Sequence, residues 1–181
     1  KELVENAIFS IKLREELYTI AQLRFNHRLE CFDITKKDDS WEGVDLNHID
    51  PIFCIVVAED RLLKLFHTNQ SDVIHPNLRP IPQKVLSYGG INRKAFQVDL
   101  VEMDECYSSV DNHLTVVVKD VNVNEHLDII YQYELAGMMG DPEKIRNRLL
   151  RYFDTGVNWD EQKEVFFSNI VVPPPNYRVK H

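Results

Sequence analysis

Residues 131–160, YQYELAGMMGDPEKIRNRLLRYFDTGVNWD, decide how the chain is read, because every local folding signal in them agrees. Asp141 can accept hydrogen bonds from the free N–H groups of a helix start. Pro142 suits the first helical turn, where its missing N–H would have no partner, and Gly156 can take the left-handed conformation that ends a helix. Between those ends Ile145, Leu149, Tyr152 and Phe153 share a face, while Arg146, Arg148 and Arg151 fall mostly elsewhere. The stretch predicts a helix over about 141–155 and carries no chemistry of its own. Its arginines are expected on a solvated face or in ion pairs within the molecule.

Upstream the pattern changes from helical to alternating. Phe9, Ile11 and Leu13 interleave with Ser10, Lys12 and Arg14, residues 17–25 form a second extended run, and residues 28–34 a third after the Asn26-His27 turn. These predict a three-stranded meander. The polar residues 35–51 lead into 52–58, a continuous run rich in β-branched side chains that reads as a central strand. Residues 61–66 suit a short helix. Residues 72–90, with Pro76, Pro80, Pro82 and Gly89-Gly90, read as an ordered loop. Residues 95–103 and 114–121 read as two strands that pair as a hairpin.

Downstream of the marked helix, Asn158 and Glu161 have the spacing of a capping box and predict a short helix over about 159–167, and Pro173-Pro174-Pro175 favours extended backbone. The expected fold is α+β: a curved, mostly antiparallel β-sheet or partly open barrel over about 8–121, with C-terminal helices at about 141–155 and 159–167. One domain of 1–181 is expected, divided into a β-rich part, 1–123, and a helical C-terminal extension, 124–181.

Composition narrows the function. The formal charge is −8, which opposes binding to nucleic acid, since that affinity comes largely from Lys and Arg neutralising phosphates. Cys31, Cys54 and Cys106 are odd in number and widely spaced, so free thiols in a reducing compartment fit better than a disulfide framework. No run approaches the length of a membrane-spanning helix, and the chain is expected to be cytoplasmic.

No pattern announces a reaction. The seven histidines are scattered. The nearest potential ligand set, Glu125, His126 and Asp128, reads as a solvated turn, and no metal is expected. Ser87-Tyr88-Gly89-Gly90 has glycines on one side of the serine only and reads as an ordinary turn, not a nucleophile elbow. Phosphate-cradling glycine patterns are absent. No catalytic residue and no cofactor is therefore expected, although a composite carboxylate and histidine site would leave no trace in the sequence.

The charge is unevenly spread. Residues 33–60 hold eight carboxylates against Lys36 and Lys37, and residues 99–111 hold five with no basic residue. This favours an acidic docking face for a basic protein partner, made by Asp38, Asp39, Glu42 and Asp45 together with Glu102, Asp104 and Glu105. Trp41, set among the first four, is either an interface anchor or a lid folded onto the core.

Three stretches resemble a family of bacterial polymorphic-toxin immunity proteins, the immunity protein 26 type. They are Leu17-Tyr18-Thr19-Ile20-Ala21-Gln22-Leu23 with Cys31-Phe32-Asp33-Ile34, then Asp50-Pro51-Ile52-Phe53-Cys54-Ile55-Val56-Val57, and more loosely Pro80-Ile81-Pro82. The resemblance covers roughly the first half of the chain. It implies a non-enzymatic cytoplasmic protein that binds and neutralises the C-terminal toxin domain, expected to be a nuclease, of a cognate contact-dependent or secreted toxin. Two other readings stand beside it: an interaction or structural module for another basic protein, and an enzyme with a composite carboxylate and histidine site.

Overall fold

A computed structural model describes residues 3–88, 97–103 and 114–177. The fold is α+β, with two antiparallel sheets, neither closed, and short helices concentrated in the C-terminal part. The chain divides into two compact units, Lys1–Ile81 with Met138–Leu150, and Pro82–Gly137 with Arg151–His181. The division between β-rich and helical residues near position 123 is one of element type, and the units cut across it.

The first unit is built on strands β1 (Ile8–Arg14), β2 (Leu17–Arg24), β3 (Arg28–Phe32) and β4 (Pro51–Val56), in that spatial order and antiparallel throughout. The first three are the expected meander, turned at Glu16 and at Asn26-His27, all three with positive φ. Strand β4 was expected at the centre of a sheet and stands at its end instead. Its far side is closed by a segment that is not a strand: the Met139 N–H donates to Val56 O and the Ala58 N–H to Met139 O. The outer side of β1 is closed likewise, by the Gln70 and His67 N–H groups on Ile8 O and Ser10 O and by Ser10 N–H on Thr68 O.

Alternation along these strands makes two faces, both shut off from water. One carries Phe9, Ile11, Ala21, Leu23, Leu29, Cys31, Phe53 and Ile55. Phe66 stacks on Phe9 there, and the Arg148 guanidinium lies 4.1 Å over the Phe53 ring. The other carries Ile8, Ile20 and Phe32 with the polar Ser10, Gln22, Arg24, Arg28 and Glu30, all buried. Loops from 33–50 and 67–79 cover it, adding Trp41, Leu46 and Ile74 to its core. The expected helix at 61–66 is a single 3₁₀ turn, Glu59–Leu62.

The second unit holds strands β5 (Lys84–Tyr88), β6 (Val98–Glu102) and β7 (Thr115–Val118), with β6 in the middle. The β6–β7 hairpin is as expected. Strand β5 lies inside the stretch read as loop. Helix α1 (Leu127–Gln132) precedes helix α2 (Pro142–Thr155), and helix α3 (Lys163–Phe166) is shorter than the expected 159–167.

Both ends of α2 are as the sequence predicts. Asp141 Oδ1 accepts from the Glu143 and Lys144 N–H groups at 3.0 and 3.4 Å, and Gly156, at φ +75°, receives the chain as it leaves the helix. The second core gathers Leu86, Val98, Leu100, Ile130, Leu135, Trp159 and Phe167. Lys163 is buried with them, its ammonium donating to Ile130 O at 2.7 Å and lying over the Trp159 ring.

Candidate partner-binding surface

The acidic loop after β3 is fixed at several points. Tyr18 and Lys36 exchange both backbone hydrogen bonds, and the Lys36 ammonium reaches Ser40 O and lies 5.3 Å from the Trp41 ring centroid. Trp41 is fully buried, and its indole N–H donates to Asp39 Oδ1 at 2.7 Å. Of its two possible roles it takes the second. It pins the loop to the sheet and offers no surface to a partner.

Each carboxylate in the loop has its own circumstances. Burial pushes the Asp39 carboxyl up, but hydrogen bonds from Thr68, Ser10 and Trp41, with His67 close by, outweigh it and hold the group below its ordinary value. Asp45 precedes the 3₁₀ turn Leu46–His48 and accepts from the Asn47 N–H at 2.9 Å and the Asn47 amide at 2.8 Å, with the His48 ring 3.1 Å from its second oxygen. The Asn47 N–H is the main cause of its lowered pKa, followed by the Asn47 side chain. Glu42 is exposed and also lowered, first by its own backbone N–H and then by the Ser40 hydroxyl at 2.9 Å.

The loop is also joined to the segment beside it. His75 N–H donates to Val44 O, Leu46 N–H to His75 O, and the Asn47 amide to Pro76 O at 2.9 Å. The result is a strip of negative charge tied to the sheet and to residues 75–76 by hydrogen bonds. Asp38 and Glu42 face solvent, whereas Asp39 and Asp45 are half-buried and remain charged at neutral pH.

The remaining expected contributors are Glu102, Asp104 and Glu105. Glu102 is exposed on β6 of the second unit, between Lys84 and Thr115 on the neighbouring strands. Asp104 and Glu105 lie outside the described residues, as do Gly89 and Gly90. Asp99, from the same acidic stretch, is buried, and its Oδ1 accepts the Asp120 N–H at 2.9 Å. The arginines of α2 act within the molecule: Arg146 pairs with Glu143, Arg148 covers Phe53, and Arg151 binds Glu161 and Trp159 O.

Sequence reasoning missed a buried polar network beneath the strip. Arg24 pairs with Glu30, whose Oε2 also accepts from the Asn77 amide at 3.0 Å. Asn77 exchanges hydrogen bonds with Gln22, and Arg24 donates to Arg79 O at 2.6 Å. Arg79 reaches on to Leu46 O and Ile49 O at 3.0 and 2.5 Å, tying the network to the acidic loop. The available signal was Gln22 and Arg24 facing Arg28 and Glu30 across a tight turn, with each pair two residues apart. Among the described residues no three His, Cys, Asp or Glu side chains group into a set that could hold a metal ion. No helix among them is long and apolar enough to cross a membrane.

The model of one family, described as Domain of unknown function (DUF8309), matches residues 2–172. Comparison with curated proteins and with solved structures returns no match.

Proposed function

The chain belongs to the DUF8309 family, and on that premise we propose that it is a binding protein that docks a basic protein domain through the acidic strip at residues 38–45. It acts by occupying its partner and not by catalysis. The observation that carries this reading is the anchoring of the charged loop by hydrogen bonds and a buried tryptophan. Asp38 and Glu42 stand exposed on a loop anchored by the buried Trp41, with Asp39 and Asp45 held ionised behind them. A pre-organised display of charge steers association without an ordering cost on binding.

The partner that fits is the C-terminal domain of a cognate polymorphic or contact-dependent toxin, a nuclease above all, because nucleases present basic surfaces to nucleic acid. This follows the resemblance of residues 17–23, 31–34 and 50–57 to immunity proteins, which implies a cytoplasmic protein. Contact residues are Asp38 and Glu42, and Trp41 serves as the frame.

The test is surface-binding kinetics of Asp38→Lys/Glu42→Lys against the toxin domain encoded beside this protein. Association at low salt should slow about tenfold, with dissociation little changed, since steering acts on the encounter. Parent-like association at low salt would sink the reading.

A further inference from the structure

Both half-buried carboxylates of the acidic strip have an imidazole beside them. His48 Nδ1 lies 3.1 Å from Asp45 Oδ2, and His67 Nε2 lies 3.9 Å from Asp39 Oδ2. His75 pairs with Asp45 through the backbone, and after Asn47 and His48 its charge, when protonated, adds to what lowers the Asp45 carboxyl. Three of the seven histidines thus gather on the strip, one from its own 3₁₀ turn and two from the segment that begins at residue 67. All three reach water: His48 and His67 are 82% and 46% exposed, and His75 is exposed.

Other charged and titratable groups stand around these rings. The Tyr18 ring of β2 lies 5.5 Å from that of His67, and the Lys12 ammonium of β1, paired with Glu15, lies 5.7 Å from the Tyr18 centroid. The Arg79 guanidinium donates to Leu46 O and Ile49 O, on either side of His48 in the chain. Lys36 lies against Trp41, and Lys37 is exposed next in sequence to Asp38.

The balance of charge within the strip is close. Its four carboxylates, Asp38, Asp39, Glu42 and Asp45, stand with the two ammonium groups of Lys36 and Lys37, which leaves −2 while the imidazoles are neutral. Three imidazolium charges carry the sum to +1. Histidine is the side chain that ordinarily gains its proton between about pH 8 and 5. Asp39, Glu42 and Asp45 titrate below their ordinary values and keep their charge through that range. A face built of carboxylates alone would hold its sign down to about pH 4.

On the reading of the strip as a docking surface for a basic protein, on which this depends, we infer that His48, His67 and His75 gate it with protons: they reverse its charge in mild acid and release a partner that it holds at neutral pH. Imidazolium rings beside Asp45 and Asp39 satisfy those carboxylates within the molecule and leave Asp38 and Glu42 to face the partner against Lys36 and Lys37. Attraction then gives way to like-charge repulsion. Release needs no change of shape, because Trp41 still anchors the loop.

The probe is decalysine, whose charge is constant over this range because lysine titrates near about pH 10.4. It is titrated calorimetrically into the intact chain in low salt at about pH 7.5 and about pH 5.5, on either side of the ordinary histidine value. The parent should bind about tenfold more weakly at the lower pH. His48→Gln/His67→Gln/His75→Gln keeps polar side chains without a titrating ring, and it should lose less than about twofold. The imidazole C–H resonances of the parent should move to their protonated positions over the same range as the loss.

A triple variant that loses affinity as steeply as the parent overturns the gate, and so does a parent that binds equally at both pH values. The docking reading fails separately, and the gate with it, if the parent ignores decalysine at the higher pH or if Asp38→Lys/Glu42→Lys binds it there as tightly as the parent does. If the triple variant does not fold, His48→Gln/His75→Gln takes its place. That pair should remove at least half of the loss, and a loss as steep as the parent's overturns the gate.

Discussion

The two faces of the four-stranded sheet come from the same strands, residue by alternate residue, and both are sealed from water. They are filled on different principles. On one, Phe9, Leu23 and Leu29 are buried apolar groups that need no directed partner, and many arrangements of similar volume would serve. On the other, Gln22, Arg24 and Glu30 each need a named partner, and Asn77 and Arg79 supply them from a loop about fifty residues away in the chain. The apolar face provides stability, and the polar face dictates where the covering loops must lie. The acidic strip inherits its fixed position from the second arrangement.

The comparison is broken most severely by removing one half of the buried ion pair. Glu30→Ala strands the Arg24 guanidinium out of water and should cost about 3–5 kcal/mol in urea unfolding. Replacing both as Arg24→Met/Glu30→Leu should regain most of that loss, while amide exchange across residues 76–81 speeds up. A loss below 1 kcal/mol for Glu30→Ala would mean that the polar face specifies little. Leu29→Ala, on the opposite face, should cost about 3 kcal/mol and leave exchange at 76–81 unchanged.

A smaller effect separates the faces by pH. Because Asp39 and Asp45 titrate below their ordinary value of 3.8, the stability they confer is complete above that pH and is lost as pH falls through their folded values. Thermal melts between pH 5 and 2 should show this acid limb, flattened in Asp39→Asn, whereas Leu29→Ala should shift the whole curve without changing its slope. Smallest of all, Asp38→Lys/Glu42→Lys should leave the unfolding midpoint where it is. That outcome makes the pair clean probes of partner binding, since exposed charges away from the network seldom affect stability.

What the sequence made legible was local. Helix α2 was readable from Asp141 to Gly156 because its caps lie within a turn of its ends, and the meander because tight turns force neighbours to pair. Strand β5 was hidden because five residues, Lys84–Tyr88, sit between prolines and a glycine pair, and only register with β6 makes them a strand. The place of β4 was misread because a run rich in β-branched residues looks alike whether its far side meets a strand or only Met139. Trp41 allowed two readings, and the choice depended on Ile8, Ile20, Phe32 and Ile74, none of them its neighbours in the chain. Arg24 and Glu30 stand among alternating apolar residues, and nothing local in the sequence reveals that Asn77 covers them.

The closing of the sheet's outer strands has a consequence for the protein in a crowded cell. An open strand edge is a template on which another chain can add by backbone hydrogen bonds alone, and that is how ordered aggregates grow. Here Met139 occupies that position beside β4, and Thr68 and Gln70 occupy it beside β1. Addition of a strand to this sheet is therefore opposed at both borders by backbone groups already paired, together with Pro51 on β4 and Lys12 and Arg14 on β1. Whatever binds the first unit must read its side chains, and that favours a selective partner over an indiscriminate one.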